Sequence, residues 1–281
     1  MIPVFILTYN ESDYLNHWLI NKNYKNFKFH IIDNGKQHFT KNINEQLTYQ
    51  TEYNIGTTGG YNLCFKIAFD YFNYDKIIFQ HADTIASIET LEKTYGTANS
   101  DNIVIWSLDE SAGMGGLWGL HKDVLDKVGY MDENYVISHW EDADYRMRVD
   151  RCESVELIDF APTEQKPKDW DSLVLHYEHI TRETNPDIDN IWLPYNSEYH
   201  YEKWGWFDGI DVGGFVPENL EDNSTYKKYG HTHLYDIPFE NIGNTDMKYV
   251  PLKPERYERI GMKNLKVFPS DYEYKRFLST N

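Results

Sequence analysis

The stretch IPVFILTYN at residues 2–10 is an apolar run that ends in polar residues, and this pattern recurs three times. FKFHIIDNG lies at residues 27–35, TYQTEYNIGTTGGYN at residues 48–62 and KIIFQHAD at residues 76–83. Each run predicts a strand whose end is marked by its polar residues. In an open α/β sheet, ligands bind beyond the carboxyl ends of the strands. The four polar ends therefore predict one shared crevice.

Strands alternate with helical patterns in the first part of the chain, which predicts an α/β domain with a mostly parallel central sheet flanked by helices. We assign this domain to residues 1–160. Residues 161–281 show weak periodicity and predict an irregular C-terminal extension packed on the same domain. The predicted strands are residues 2–8, 27–33, 49–53, 76–80 and 103–108, and the predicted helices are residues 13–21, 61–72, 87–95, 121–128 and one that opens at residue 141.

The chain has 281 residues and a formal net charge of −18, which disfavours binding to nucleic acid or to an anionic membrane surface. Its apolar runs are far shorter than the ~20 residues that span a bilayer, and its start lacks the features of a signal peptide. Two cysteines, Cys64 and Cys152, match neither a disulfide framework nor a zinc pattern. We therefore expect a cytoplasmic protein.

Residues that follow the second strand and precede a helix are candidates for nucleotide binding. Asp33 and Asn34 offer acceptors for a base or ribose, and an Asx turn is the alternative that these two residues by themselves favour. In the segment at residues 54–62, Gly59, Gly60 and Asn62 lie where backbone approaches a ligand and a helix N-terminus offers N–H groups to phosphate. The alternative there is an ordinary glycine turn.

His81 and Asp83 alternate at the end of a strand, so both side chains point the same way. They are candidate ligands for a divalent ion that bridges a diphosphate, the alternative being a helix-cap region with an exposed histidine. An imidazole beside a carboxylate suits Mn²⁺ better than Mg²⁺. His176, which follows a strand-like run, is a further candidate ligand.

Glu141 and Asp142 open a predicted helix, where acidic residues are stabilised by the helix dipole, which also favours their ionised forms. The functional interpretation makes one of them a general base beside the crevice. Asp144 is expected only to cap or solvate the helix. Trp118 and Trp140 are candidates for stacking on a sugar, and core packing is an equally good interpretation of both.

Taken together, these segments resemble family 2 glycosyltransferases of the GT-A fold, a Rossmann-like arrangement. ILTYNE, IIDNG and NIGTTGGYN resemble successive motifs of that family, and residues 115–149, which contain the E-D-x-D helix start, resemble it most closely. The match covers residues 1–150. EYHYEKWG at residues 198–205 and IPFEN at residues 237–241 more loosely resemble a rhamnosyltransferase-like, phage or bacterial subgroup.

The resemblance implies an inverting enzyme that moves a hexosyl or deoxyhexosyl group from a nucleoside-diphosphate sugar to a glycan, lipid-linked or protein acceptor. It implies that Thr8, Asn10 and Asp33 bind the nucleotide and that Asp142 is the base, with Glu141 beside it. Asp83 would be the last residue of the D-x-D metal motif. The first aspartate of that motif is His81 in this chain, which departs from the family pattern.

Two other functions compete with this interpretation. A catalytically silent module that binds a nucleotide or sugar would keep the crevice and lose the metal, but the retained Glu141 and Asp142 favour an enzyme. A nucleotidyltransferase would need a basic glycine loop for a triphosphate, and residues 54–62 contain neither Lys nor Arg.

Overall fold

The structure, a computed structural model, describes residues 1–9, 15, 24–35, 47–106, 114–160, 175–176, 193, 196–197, 199–200 and 270–281. In these ranges the strands are β1 (Ile2–Thr8), β2 (Phe27–Asp33), β3 (Leu47–Gln50), β4 (Lys76–His81), β5 (Thr84–Ile85), β6 (Asn102–Ile105), β7 (Leu117–His121), β8 (Glu156–Asp159) and β9 (Leu175–His176). The helices are α1 (Gly56–Lys66), which continues as a π-helical turn (Ile67–Tyr71), α2 (Ile88–Thr97), α3 (Lys122–Val128), α4 (Glu141–Arg151) and α5 (Ser270–Thr280).

Seven strands form the main sheet, in the order β3-β2-β1-β4-β7-β6-β8. All of the strand pairs in it are parallel except the two made by β7. The chain moves outward from β1 through β2 to β3 and then returns to the other side of β1 at β4. The topological switch point therefore lies between β1 and β4, where an open α/β sheet places its ligand. The predicted fold class, a mostly parallel sheet flanked by helices, is confirmed.

Two apolar cores cover the two faces of the sheet. Phe5 and Leu7 of β1 belong to a cluster that includes residues of α1, α3, α4 and α5, whereas Val4 and Ile6 belong to a cluster that includes α2. Successive residues of a strand point to opposite faces, so this alternation is what a strand buried on both sides requires. The helices of the first cluster bring α1 and α4 together beside the switch point.

β1 and β2 have the predicted bounds, and Ser87 caps α2 as the sequence indicates, since its Oγ accepts a hydrogen bond from the Thr90 N–H at 3.0 Å. Cys64 is buried, as expected. β3 lies slightly earlier than predicted. The predicted helix at residues 13–21 lies outside the described residues except for Leu15.

α1 begins at Gly56, inside the glycine segment, whereas the sequence predicted a loop there and a helix from residue 61. The glycines permit this because the helix packs closely on β1. A β-carbon at Gly60 would lie 2.4 Å from Cδ1 of Leu7, and one at Gly59 would lie 3.1 Å from Cβ of Ile55. The glycines in this segment are therefore explained by the close packing of α1 on the sheet.

α5 is a regular helix in a region predicted to be irregular, and it packs on α1. Lys66 forms an ion pair with Asp271 at 3.3 Å, and Phe277 enters the core. The Ser270 hydroxyl and N–H both donate to the carboxylate of Glu133. The domain boundary at residue 160 stays a prediction. Among the described residues, the helices are all too short or too polar to cross a bilayer.

Candidate active site

Three of the predicted polar strand ends meet at the switch point. The register pairs Thr8 with Asp33 and Leu7 with His81, and both pairings are parallel. Carboxyl ends of parallel neighbours share one edge of the sheet, so Thr8, Asp33 and His81 line the same edge. Asn10, the remaining nucleotide candidate of β1, lies outside the described residues.

Asp33 is fully buried and its two carboxylate oxygens accept different hydrogen bonds. Oδ1 accepts from the Gly35 N–H at 3.0 Å, which is the Asx turn, and Oδ2 accepts from Nε2 of Gln50 at 2.9 Å. Gln50 ends β3, beside Asp33 in the register. Sequence reasoning missed this partner because a residue pattern does not show which strands become neighbours.

Asn34 makes internal hydrogen bonds, and its predicted nucleotide contact stays a prediction. Its Nδ2 donates to Oδ1 of Asn54 at 2.9 Å and to the carbonyl of Gly56 at 3.2 Å. Its Oδ1 accepts from the Ile55 N–H at 2.8 Å and from Oγ1 of Thr51 at 3.1 Å. An amide side chain has two donors and one carbonyl acceptor, so Asn34 is fully used in holding the start of α1.

Gly59, Gly60 and Asn62 also make internal contacts in place of the predicted approach to phosphate. The two glycines pack on neighbouring side chains, as described above. Asn62 is fully buried, donates to the Met131 carbonyl at 2.9 Å and accepts from the Met131 N–H at 2.8 Å. It also donates to Oε1 of Glu133 at 2.9 Å. Helix α1 is thus tied to the turn that precedes α4.

Tyr61 of α1 is fully buried, and its phenol hydrogen bonds with Nε2 of His81. Burial raises the pKa of Tyr61 well above its ordinary value, and the nearby carboxyl groups of Glu141, Asp142 and Asp83 raise it further. Three carboxyl groups from two distant segments therefore act on one phenol. The sequence analysis missed Tyr61, whose only signal is its place at i−3 and i−7 from Cys64 and Ala68 on the apolar face of the helix.

Glu141 and Asp142 begin α4 as predicted, but their environments differ. Glu141 is only 6% exposed, and its Oε2 lacks a hydrogen-bond partner among the described residues. Burial raises its pKa well above the ordinary range, and the charge of Asp142 adds to this effect. Asp142 is half-buried and its Oδ1 accepts from the Ala143 N–H at 2.8 Å. The dipole was expected to keep both carboxylates available as bases, and burial outweighs it at Glu141.

The sequence suggested that Asp144 only caps or solvates the helix, but the structure shows that Asp144 is fully buried. Its Oδ2 forms an ion pair with Nε of Arg148 at 3.0 Å. Arg148 in turn donates to the carbonyls of Val128 at 3.0 Å and Tyr130 at 2.8 Å. A buried charge requires such partners, so this pair fixes α4 against the turn after α3.

Neither tryptophan has the exposed face that sugar stacking needs. Trp118 has 0% exposure and stacks between Tyr61, at 4.9 Å between ring centroids, and Tyr145, at 5.7 Å. Trp140 is 7% exposed, and its Nε1–H donates to Oγ of Ser197 at 2.7 Å. Core packing, the alternative interpretation, describes both rings.

The candidate metal ligands lie on two chain segments that are neighbours in the fold. His176 pairs with Thr84 in the β5–β9 ladder, which brings the backbone of β9 next to the residue that follows Asp83, and its side chain lies outside the description. In the described part of the chain, no group of three or more His, Cys, Asp or Glu side chains is arranged so that it could hold a metal ion. Tyr61 engages Nε2 of His81, and metal binding by His81, Asp83 and His176 stays a prediction.

A family model described as glycosyl transferase family 2 matches residues 4–159, more than half of the chain. The chain belongs to this family. The matched range contains β1 from Val4 onward, the other six strands of the main sheet and α1 to α4, so membership agrees with the GT-A fold that the resemblance predicted. No curated protein sequence matches the chain significantly.

Solved structures of glycosyltransferases are remotely similar. TarS of S. aureus is 15% identical with a TM-score of 0.42, and the match covers 57% of this chain and 35% of that one. The catalytic domain of Drosophila β1,4-galactosyltransferase 7 with xylobiose is 12% identical with a TM-score of 0.45, and the match covers 66% of this chain and 72% of that one. GalNAc-T7 with UDP, GalNAc and Mn²⁺ is 9% identical with a TM-score of 0.44, and the match covers 84% of this chain and 55% of that one. This chain thus spans about a third of TarS and about half of GalNAc-T7.

Proposed function

We propose that this family member is an inverting glycosyltransferase that uses a nucleoside-diphosphate sugar. The observation that carries the proposal is the pair Glu141 and Asp142 at the start of α4, a helix that shares its core with α1, whose Tyr61 contacts His81 at the switch point. Burial raises the pKa of Glu141 and so favours its protonated form, which leaves the half-buried Asp142 as the base.

In this mechanism Asp142 takes the proton of the acceptor hydroxyl, and the oxygen attacks the anomeric carbon. The bond from that carbon to the diphosphate breaks on the opposite face, and its electron pair leaves with the diphosphate. The transition state has oxocarbenium character, as in other glycosyl chemistry. Thr8 and Asp33, with Asn10, hold the base and ribose at the sheet edge.

A divalent ion, Mn²⁺ before Mg²⁺, would be held by Asp83, with His81 and His176 as further ligands. When bound, such an ion neutralises charge on a departing diphosphate. We also propose a glycan, lipid-linked or protein acceptor, a hexosyl or deoxyhexosyl donor and the rhamnosyltransferase-like subgroup. The free Cys64 and Cys152 support a reducing compartment, the cytoplasm.

The test is a panel of UDP-, GDP- and dTDP-sugars, measured by thermal unfolding with and without Mn²⁺. A true donor at 100 times its Kd should stabilise the fold by ~2.7 kcal/mol. Asp33→Ala should abolish this stabilisation while the unliganded protein stays folded. Transfer products made with the selected donor should have the inverted anomeric configuration. Stabilisation by none of the sugars, or a retained configuration, would contradict the proposal.

The silent module remains a second candidate because Tyr61 occupies Nε2 of the histidine that replaces the first metal aspartate. It predicts that a nucleotide sugar binds but is never hydrolysed or transferred, with or without Mn²⁺. Nucleoside diphosphate released over hours from the bound donor would distinguish the enzyme from the module.

A further inference from the structure

The backbone before α4 is held in an unfavourable conformation. Ile137, His139 and Trp140 all have positive φ, at 65°, 77° and 73°. The left-handed region is rare for residues with side chains and a genuine outlier for a β-branched residue such as Ile137. Each such residue costs about 1–3 kcal/mol and persists only where its surroundings over-determine it. Trp140 is also the N-cap of α4, so the strain ends directly at Glu141.

Asn196 holds this stretch by three hydrogen bonds. Its Oδ1 accepts from the Val136 N–H at 2.9 Å, and its Nδ2 donates to the carbonyls of Val136 at 2.8 Å and Ser138 at 2.7 Å. The side chain is fully buried, so water cannot substitute for these bonds. The three groups bracket Ile137 on both sides.

Two neighbours of Asn196 in sequence hold the next part of the stretch. Oγ of Ser197 accepts from Nε1 of Trp140 at 2.7 Å, and the His200 ring lies 4.5 Å from the Trp140 ring. Nδ1 of His200 also lies 3.0 Å from the hydroxyl of Tyr135. Asn196, Ser197 and His200 thus touch both ends of the strained segment.

α1 closes the other side of the segment. The Thr57 N–H donates to the Ile137 carbonyl, and a β-carbon at Gly56 would lie 2.9 Å from Cα of Ile137. Gly56 has a φ of +72°, so this approach needs glycine for both space and conformation. The strained segment is therefore fixed between α1 and residues 196–200.

We propose that Asn196 is a positioning residue for the base Asp142, acting through the left-handed backbone of residues 137–140. This proposal rests on the proposed function. Without Asn196 the strained residues relax, and the first turn of α4, which carries Asp142, shifts in the crevice. A displacement of about 1 Å in a catalytic group can cost about 10²-fold in rate.

The experiment compares Asn196→Ala with Asn102→Ala. Asn102 is also buried, and its replacement by alanine removes two hydrogen bonds. Its Oδ1 accepts from the Asn99 N–H at 3.1 Å, and its Nδ2 donates to the Thr97 carbonyl at 3.2 Å. It lies at the amino end of β6, on the sheet edge opposite the crevice. The readouts are hydrogen exchange over residues 136–144, and kcat and KM for hydrolysis of the nucleotide sugar that the panel selects.

We expect Asn196→Ala to increase exchange over residues 136–144 and to lower kcat about 10²-fold with little change in KM. Asn102→Ala should change neither, beyond its loss of thermal stability. Ser197→Ala, a milder change, should lower kcat by a smaller factor if Asn196→Ala fails to fold. Unchanged hydrogen exchange in Asn196→Ala would show that Asn196 does not hold residues 137–140, whether or not any donor is found. Equal losses of kcat in Asn196→Ala and Asn102→Ala would overturn the positioning role. Failure of every donor would count against the proposed function alone.

Discussion

The phenol of Tyr61 hydrogen bonds with Nε2 of His81, so a residue of α1 controls the imidazole at the end of β4. Burial and three nearby carboxyl groups keep Tyr61 in its neutral, proton-bearing form. A phenol that donates to Nε2 places the ring proton of a neutral imidazole on Nδ1, so neither ring nitrogen then offers a lone pair to a metal. Tyr61 therefore competes with a metal for His81.

Tyr61→Phe should raise the affinity for Mn²⁺ in the presence of UDP, because Nε2 loses its donor and the tautomer that binds metal becomes accessible. Isothermal titration and ¹⁵N chemical shifts of the His81 ring measure the two effects. Tyr145→Phe is the matched control, since Tyr145 is a buried tyrosine whose hydroxyl lacks a hydrogen-bond partner among the described residues. Equal Mn²⁺ affinities in the two variants would refute the competition.

Asp142→Asn should lose sugar transfer by ~10²–10⁴-fold, the usual contribution of a general base. The variant should still be stabilised by the donor, because Asp33 and Thr8 are unchanged. Initial rates with the selected donor and thermal shifts measure the two properties. A native transfer rate would mean that another group takes the proton.

Glu141→Gln should make the protein more stable at neutral pH, because the amide resembles the protonated acid. Burial raises the folded-state pKa of Glu141 above its unfolded value, so the folded state keeps a proton that the unfolded state releases as pH rises. The contribution of Glu141 to the free energy of unfolding is therefore greatest below the unfolded-state pKa of ~4.3. Above that pH the contribution decreases by up to about 1.4 kcal/mol per pH unit. Urea unfolding of both proteins from pH 4 to 8 should show a difference that grows with pH; a constant difference would exclude a protonated Glu141.

Asp144→Asn should destabilise the fold by about 3–5 kcal/mol, since it leaves the buried Arg148 without its charge partner. Asp101→Asn is the control, because the Asp101–Lys127 pair has a similar 2.9 Å distance on the surface and should change stability little. Urea unfolding compares the two variants. A similar, small effect at both positions would show that Arg148 finds compensation from its backbone carbonyl partners.

The sequence was sufficient for features that depend on local pattern. The apolar alternation at Phe27–Asp33 gave the bounds of β2, and the acidic pair gave the start of α4. The polar strand ends were expected at one crevice, and the register of β1 with β2 and β4 places Thr8, Asp33 and His81 along one edge.

The contacts that the sequence did not reveal join residues far apart in the chain. Tyr61 reaches His81, Gln50 reaches Asp33, and Asn196 reaches Val136, each through a polar atom whose partner is chosen by the tertiary fold. Asn34 and Asn62 were assigned to a nucleotide because an amide suits a ligand and a backbone equally well. The sequence also did not show that Glu141 is buried and Asp142 only half-buried, because hydrophobic periodicity indicates burial only for apolar residues.

The hydrogen bonds of Ser270 to Glu133 and of Asn196 to Val136 also set an order of events during synthesis. These pairs are separated by 137 and 60 residues. Because a chain emerges from the ribosome N-terminal part first, the sheet can form while the turn at Glu133 and the segment before α4 still lack their partners. A nascent chain would therefore form the sheet edge that carries Thr8 and Asp33 before the segment ahead of α4 is fixed, and the candidate active site would be completed last.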